Sequence, residues 1–170
     1  MFASSQTEVM SEYLRSVKSR FQDAKDYAEK TFLQLEDEHL VWYPNEDSNS
    51  IAVIVKHMSG NMVSRWTDIF ETDGEKPGRN RDGEFVNSIR NREELFEVWD
   101  KGWDVFFQTL NSLREEDLLR QIFIRNETHT VMDAIERQMY HYSYHIGQIV
   151  YIAKMLKSDQ WKTLTIPRNK

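Results

Sequence analysis

Apolar residues recur at spacings of three and four along four long stretches of the chain, which is the pattern of helices with one buried face. Side chains suited to N-caps begin all four stretches: Ser4 or Ser5, then one of residues 48–50, then Asn91, then Thr130. The predicted helices span about residues 5–35, 51–71, 92–113 and 131–157. The pattern therefore predicts an all-α protein, a four-helix bundle that forms a single domain over residues 1–170.

Two long connections separate the predicted helices. Residues 72–91 form a long loop between the second and third helices, where two Asp-Gly pairs and a Pro-Gly pair are turn signals. A loop of this length in a compact domain is often functional. In the second connection, residues 113–125, the apolar run Ile122–Ile124 can pair as a small strand. We expect the tail from Ser158 onward to be extended, with three apolar side chains packing on the bundle: Trp161, Leu164 and Ile166.

The composition excludes several classes of site and partner. The chain has no cysteine, so disulfides, thiolate zinc ligands and cysteine nucleophiles are excluded. A net charge of -6 argues against a nucleic-acid partner, which requires clustered Lys and Arg. The longest aliphatic run, Ile51–Val55, is too short to span a membrane, and Met1–Met10 lacks the apolar segment of a secretory signal. We therefore expect a cytoplasmic protein that acts on a small molecule, without a nucleic-acid or membrane partner.

Three of the five histidines form the one pattern that points to chemistry. His141 and His145 lie four residues apart on the fourth helix, so they project from the same face one turn apart. Two imidazoles in this arrangement can hold a metal ion if another helix supplies a third ligand, and His57 on the second helix is the best candidate. The alternative is that each histidine is a hydrogen-bonded residue at the edge of the core.

Several familiar catalytic motifs are missing. A zincin helix would need Glu directly after the first histidine, where this chain has Tyr142. The paired Glu-x-x-His motifs of di-iron bundles, Gly-rich phosphate loops and serine elbows are also absent. No Asp or Glu has a spacing that would identify it as a general base.

The sequence resembles the DinB/YfiT-like superfamily of metalloenzymes. The resemblance is carried by Asn49–Ala52 with His57 and Gly60-Asn61, and more specifically by the stretch from His141 to Gln148. It covers nearly the whole chain. It implies that His57, His141 and His145 are the ligands of a divalent ion, most often zinc or nickel, with open positions for water or substrate. It also implies a homodimer, since many members are dimers.

The resemblance implies a reaction as well as a site. Characterised members of the superfamily include bacillithiol- and mycothiol-dependent thiol transferases and a maleylpyruvate isomerase. We therefore expect a metal-dependent transferase that joins a low-molecular-weight thiol to an electrophile, the thiol coming from a cofactor because the chain has no cysteine. A metal-dependent hydrolase and a metal- or ligand-binding module without catalysis remain alternatives.

Five further residues are candidates for contacts with the substrate or with the ligands. Asn61 and Gln148 lie one turn or less from the ligand histidines, where they could orient the imidazoles or the substrate. Arg65 lies two turns from His57, and Arg79 and Arg81 lie in the long loop, where they could meet an anionic cofactor. Ordinary packing and surface ion pairs are the alternative for each of them.

Overall fold

The computed structural model describes residues 2–167, with side chains from Ser5 onward, and the described chain is mostly helical. Four long helices, α1, α3, α5 and α6, correspond to the four predicted ones. The α-helices are α1 (Phe2–Phe32), α2 (Asp37–Val41), α3 (Ile51–Trp66), α4 (Arg81–Glu84), α5 (Arg92–Ser112) and α6 (Val131–Lys157). An antiparallel hairpin, β1 (Gln121–Ile124) and β2 (Glu127–Thr130), precedes α6. Short 3₁₀ turns follow α5, at Glu115–Asp117, and α6, at Ser158–Gln160.

The four long helices pack in a ring around an aromatic core. Helix α3 contacts α5 and α6, and α1 contacts the same two helices. In the centre, Phe21 of α1, Phe106 of α5 and Tyr142 of α6 meet edge to face, with centroids 4.5–6.1 Å apart. Trp66 of α3 joins them 4.9 Å from Phe106. Edge-to-face contacts suit the ring quadrupoles, so this cluster fixes how the long helices sit against one another.

Three of the four predicted caps begin their helices as expected, but α1 begins at Phe2, ahead of the predicted cap at Ser4 or Ser5. Ser50 Oγ accepts a hydrogen bond from Val53 N at 3.2 Å, which starts α3. Asn91 Oδ1 accepts a hydrogen bond from Glu94 N at the start of α5. Thr130 Oγ1 accepts one from Asp133 N at the start of α6. Each cap satisfies one backbone N–H that would otherwise lack a partner at the helix end.

Several predicted boundaries were wrong. Helix α3 ends at Trp66 and not at residue 71, because Thr67 is extended and Asp68 adopts a positive φ of 48°. Helix α1 ends at Phe32 instead of residue 35. The long loop is not wholly irregular, since it contains α4. In the tail, Trp161 packs on the core, but Ile166 is 92% exposed. Residues 168–170 of the predicted tail lie outside the described residues.

The hairpin is docked against the long loop. Asp73 accepts hydrogen bonds from Arg125 N at 2.9 Å and Asn126 N at 2.8 Å, the two left-handed residues of the hairpin turn. Gly74 N donates to Phe123 O at 2.8 Å. These bonds join two connections that are far apart in sequence, and they place Arg125 beside the end of α3. None of the helices in the described part of the chain has the length and apolar character needed to cross a membrane.

Helices α3 and α5 approach closely at Gly102, which gives a first prediction. A Cβ at Gly102 would lie 2.7 Å from Ser59 Cα, a backbone atom that cannot move aside alone. We expect Gly102→Ala to lower the free energy of unfolding by roughly 1–3 kcal/mol, because overpacking outweighs the ~1 kcal/mol gain in helix propensity. Urea denaturation measures the change.

Gly147→Ala is the matched control for Gly102→Ala. Gly147 also lies inside a long helix, but a Cβ there would meet nothing within 4 Å. The substitution should leave stability unchanged or raise it by up to about 1 kcal/mol. Equal effects of the two substitutions would contradict the close packing of α3 on α5.

Candidate metal centre

The structure brings His57, His141 and His145 together. His57 comes from α3, and the other two come from successive turns of α6. Nε2 of His141 lies 3.3 Å from Nε2 of His57 and 3.1 Å from Nε2 of His145. One ligand atom from each residue lies within 4.8 Å of the others, so the three imidazoles face a common point. This donor set and geometry can hold a divalent ion.

The opposite nitrogens of two of these rings are held by acceptors. His57 Nδ1 lies 3.0 Å from Glu84 Oε2, and because a carboxylate accepts, His57 donates from Nδ1 and keeps a lone pair on Nε2. His145 Nδ1 donates to Gln148 Oε1 at 2.8 Å, which has the same effect. Histidine ligands are typically fixed in this way by a second group, so both rings are prepared for a metal ion.

The third ring, His141, is in a different situation. Gln138 accepts from the Trp66 indole N–H at 3.1 Å, so its amide nitrogen faces Asn61 Oδ1 at 2.9 Å and His141 Nδ1 at 3.3 Å. As the groups stand, His141 accepts at Nδ1 and carries its proton on Nε2, between the other two imidazoles. Binding of a cation at Nε2 requires the proton to move to Nδ1, because a metal-binding imidazole is neutral with a free lone pair on the binding nitrogen.

Burial keeps two of the imidazoles neutral. Burial and the neighbouring charges of His145 and His57 lower the pKa of His141 to about 3. Burial also lowers the pKa of His145 to about 4, although its hydrogen bond to Gln148 acts in the opposite direction. Neutral imidazole is the form that binds metal ions, so both rings are available as ligands at neutral pH.

Glu84 is a buried carboxylate that the sequence pattern did not reveal. It is 7% exposed, and its two oxygens accept from Arg79 Nε at 2.7 Å and Nη2 at 2.8 Å as well as from His57. Burial acts to raise the pKa of Glu84, but the hydrogen bonds from His57 and Arg79 hold it below its usual range. Glu84 approaches α3 at Gly60, where a Cβ would lie 2.2 Å from Oε1. A glycine inside the helical pattern was the available signal for this contact.

An arginine cleft opens beside the three histidines. It has a volume of about 270 Å³ and is also lined by His57, His141, Asn61 and Gln138. We call it the arginine cleft because five guanidinium groups line it: Arg65, Arg79, Arg81, Arg125 and Arg137.

The structure gives the five candidate contact residues different places. Arg65, Arg79 and Arg81 line the arginine cleft, and Asn61 does so while accepting from Gln138 and from the Tyr142 hydroxyl. Gln148 lies outside the cleft and holds His145. The sequence analysis missed Arg125, because the hairpin turn that carries it is placed by contacts with a distant loop. It also missed Arg137, although this residue lies on α6 one turn before His141, where the helical spacing was a signal.

Comparison with known proteins assigns the chain to a family. A family model described as "Protein of unknown function (DUF1572)" matches residues 8–170. The chain belongs to the DUF1572 family. No curated protein matches it. The matched segment of this DUF1572 member contains the three histidines, Glu84 and all five arginines of the cleft, so the site lies wholly within the family domain.

The contact between Glu84 and His57 gives a second prediction. Glu84→Gln keeps the shape of the side chain but removes the carboxylate that orients His57, so we expect zinc affinity to fall about 10- to 100-fold. Gly60→Ala should also weaken zinc binding, because its methyl group displaces Glu84. Competition against a chelating dye measures the affinity. Asp82→Asn, on the exposed side of α4, is the control, and an equal loss in that variant would contradict the role of Glu84.

The lowered pKa values of His141 and His145 give a third prediction. The unfolded chain protonates both residues near pH 6.5, whereas the folded protein does so only near the lowered values, so the unfolded state binds more protons in between. In chelator-treated protein, the free energy of unfolding should fall as the pH drops from about 6.5 to 4, by on the order of 2 kcal/mol after allowance for solvent screening.

Urea denaturation at a series of pH values measures this dependence. The variant His141→Gln/His145→Gln has no imidazoles to titrate at these positions, so its stability should vary less over the same range. If the variant and the unsubstituted protein have the same slope, other groups cause the dependence and the assignment is wrong.

Proposed function

We propose that this protein is a divalent-metal-dependent enzyme whose ion is held by His57, His141 and His145, with zinc or nickel as the expected metals. The observation that carries the proposal is the convergence of the three Nε2 atoms. Glu84 and Gln148 orient two of the rings by accepting hydrogen bonds from Nδ1 of His57 and of His145. A group of histidines serving only the core would not need its donor atoms to face one another.

The number of ligands and the position of the cleft favour catalysis over a structural metal. Structural zinc sites usually fill four positions with protein ligands, whereas catalytic sites have three and keep one open. The metal-ligand group found in the described residues has three members. Two of them, His57 and His141, line the arginine cleft, so a small molecule in the cleft can reach the place where an ion would be held.

For the reaction, we propose transfer of a low-molecular-weight thiol to an electrophilic carbon. In this reaction the thiol gives up its proton, a sulfur–carbon bond forms, and the leaving group departs with the electron pair of the broken bond. A divalent ion supplies Lewis acidity, which lowers the pKa of a thiol or water near it. The resemblance to the DinB/YfiT-like superfamily supports thiol chemistry, and because the chain has no cysteine, the thiol must come from a cofactor.

The resemblance supports two further parts of the proposal, a four-helix bundle of the DinB/YfiT type and a homodimer. We also propose a cytoplasmic location. The ring of four long helices agrees with the first. A metal-dependent hydrolase would use the same three ligands with water in place of the thiol. A binding module would use the ligands without turnover.

Elemental analysis of protein purified without an affinity tag is the first test. We expect about one zinc or nickel ion per chain in the unsubstituted protein and none in His141→Ala/His145→Ala. His39→Ala is the control, because His39 lies away from the cluster, where its Nδ1 accepts from Glu36 N. A protein that binds no divalent ion even after reconstitution would refute the metalloenzyme proposal.

Turnover assays on the metal-loaded protein then separate the functions. A panel of low-molecular-weight thiols with a chlorodinitrobenzene electrophile tests thiol transfer, and p-nitrophenyl esters test hydrolysis. Activity that requires both thiol and metal supports the proposal. Activity with esters alone would favour the hydrolase, and metal binding without either activity would favour the binding module.

A further inference from the structure

The arginine cleft concentrates positive charge in a chain that is acidic overall. The sequence has 28 Asp and Glu residues against 22 Lys and Arg residues, yet five guanidinium groups line this one cleft. Like charges repel one another, so a group of five arginines is unfavourable unless anions accompany it. The anions of the described residues therefore need to be accounted for.

Two carboxylates pair with arginines of the cleft. Glu84 binds Arg79 with both oxygens. Glu75 is shared, since it lies 3.3 Å from Arg79, 3.2 Å from Arg125 and 3.8 Å from Arg65. Five guanidinium groups against these two carboxylates leave a formal excess of three positive charges.

A third acidic residue, Asp73, reduces the excess to two. Its charge interacts with Arg65, but its oxygens are used by backbone N–H groups of the loop and the hairpin turn. Arg81 and Arg137 have no carboxylate within ion-pair distance among the residues that the structure describes. Arg81 lies over the Phe85 ring, 5.4 Å from its centroid.

Arg65 is the most unusual of the five. The residue is 5% exposed, and its Nε is buried without a hydrogen-bond partner in the described part of the chain. Its closest paired oxygen, on Glu75, is beyond hydrogen-bond distance. Burial, and then the charge of Arg137, lowers the pKa of Arg65 from its ordinary value, while Tyr142 and Glu75 oppose the change. A buried donor without a partner is costly, so a group that accepts from Arg65 would be stabilised.

We propose that the arginine cleft binds the acidic end of the substrate, a small molecule with at least two negative charges on carboxylate or phosphate oxygens. One oxyanion binds Arg65 inside the cleft, and the second is held by the exposed Arg137 and Arg81 at its rim. Guanidinium groups suit this role because their planar donors match carboxylate and phosphate oxygens. The inference rests on the proposed function in one respect: the other end of the substrate, which reacts, would lie beside the histidines.

The dimensions of the cleft limit what it can enclose. At ~30 Å³ for each water molecule, 270 Å³ corresponds to about nine waters. This volume accommodates a dicarboxylate or a phosphate group, while a larger substrate would extend past Tyr140 and Tyr144, which are 75% and 43% exposed. An ion held by three neutral imidazoles keeps its full double charge, so it should strengthen the binding of a dianion nearby.

Isothermal titration calorimetry at low ionic strength tests the proposal with three probes: succinate, inorganic phosphate and acetate. We expect succinate or phosphate to bind at least tenfold more tightly than acetate, and more weakly as salt is added. The stronger of the two dianions identifies carboxylate or phosphate as the preferred group. Binding of acetate as tight as that of both dianions would overturn the proposal.

Arginine variants locate the binding site. Arg65→Gln and Arg137→Gln should each weaken dianion binding at least tenfold, while Arg20→Gln, on the exposed surface of α1, should have no effect. Because Arg65 is buried, circular dichroism and urea denaturation check that its variant folds. Arg137 is exposed, so its variant keeps the test valid if Arg65→Gln does not fold. Unchanged binding in folded Arg65→Gln or in Arg137→Gln would refute the proposed site.

The same titrations in His141→Ala/His145→Ala separate this inference from the proposed function. Dianion binding that persists in this variant supports the anion site even if the protein holds no metal. If a metal is bound but no dianion binds, the inference fails and the proposed function stands. If dianions bind only to metal-loaded protein, and the arginine variants bind them equally well, the ion alone holds them and the inference is also wrong.

Discussion

The carboxylate of Glu84 is the group on which the site depends. It accepts from His57 and, with both oxygens, from Arg79, so it joins a ligand histidine on α3 to the long loop. This contact is possible because position 60 is glycine, since any Cβ there would collide with the carboxylate. Without it, His57 would lack its orienting partner and the loop would lose an anchor on the helix. One buried carboxylate therefore sets both the ligand geometry and one wall of the cleft.

Such an arrangement is better suited to specificity than to stability. Taking charged groups out of water is costly, and a buried ion pair often contributes little net stability compared with apolar packing. Bidentate pairing of Arg79 with Glu84 nevertheless allows only a narrow range of geometries, which a flexible loop would not otherwise adopt. The same reasoning applies to Asp73, whose bonds to Arg125 N and Asn126 N fix the hairpin turn. The loop and the hairpin are thus oriented by polar contacts in addition to the burial of Ile89, Ile122 and Ile124 in the core.

The sequence predicted the long helices and the pairing of His141 with His145, because both follow from local spacing. His57 lies on another helix, so no local spacing could place it beside that pair. Caps and periodicity depend on residues three or four apart, and so does the pairing of His141 with His145. Helix ends were less predictable: Ile69 is 4% exposed although it lies beyond α3, so the apolar period continues where the helix has stopped. Glu84 and Arg125 were not predicted, because tertiary contacts of the loop and the hairpin determine where they lie. Gly60 was a local sign of close approach, but it does not name the group that approaches.

The distribution of charge follows from these loops and has a consequence for binding. Three imidazoles contribute no negative charge, so an ion among them would add two positive charges to a cleft that already has an excess. Natural proteins accept such unfavourable local arrangements chiefly at functional sites, where a ligand compensates for them. In this chain the side chain of Arg65 lines the cleft together with His141, and its buried Nε has no hydrogen-bond partner among the described residues. A substrate anion at that point would satisfy the donor, offset the repulsion among the arginines and lie beside the proposed metal ligands.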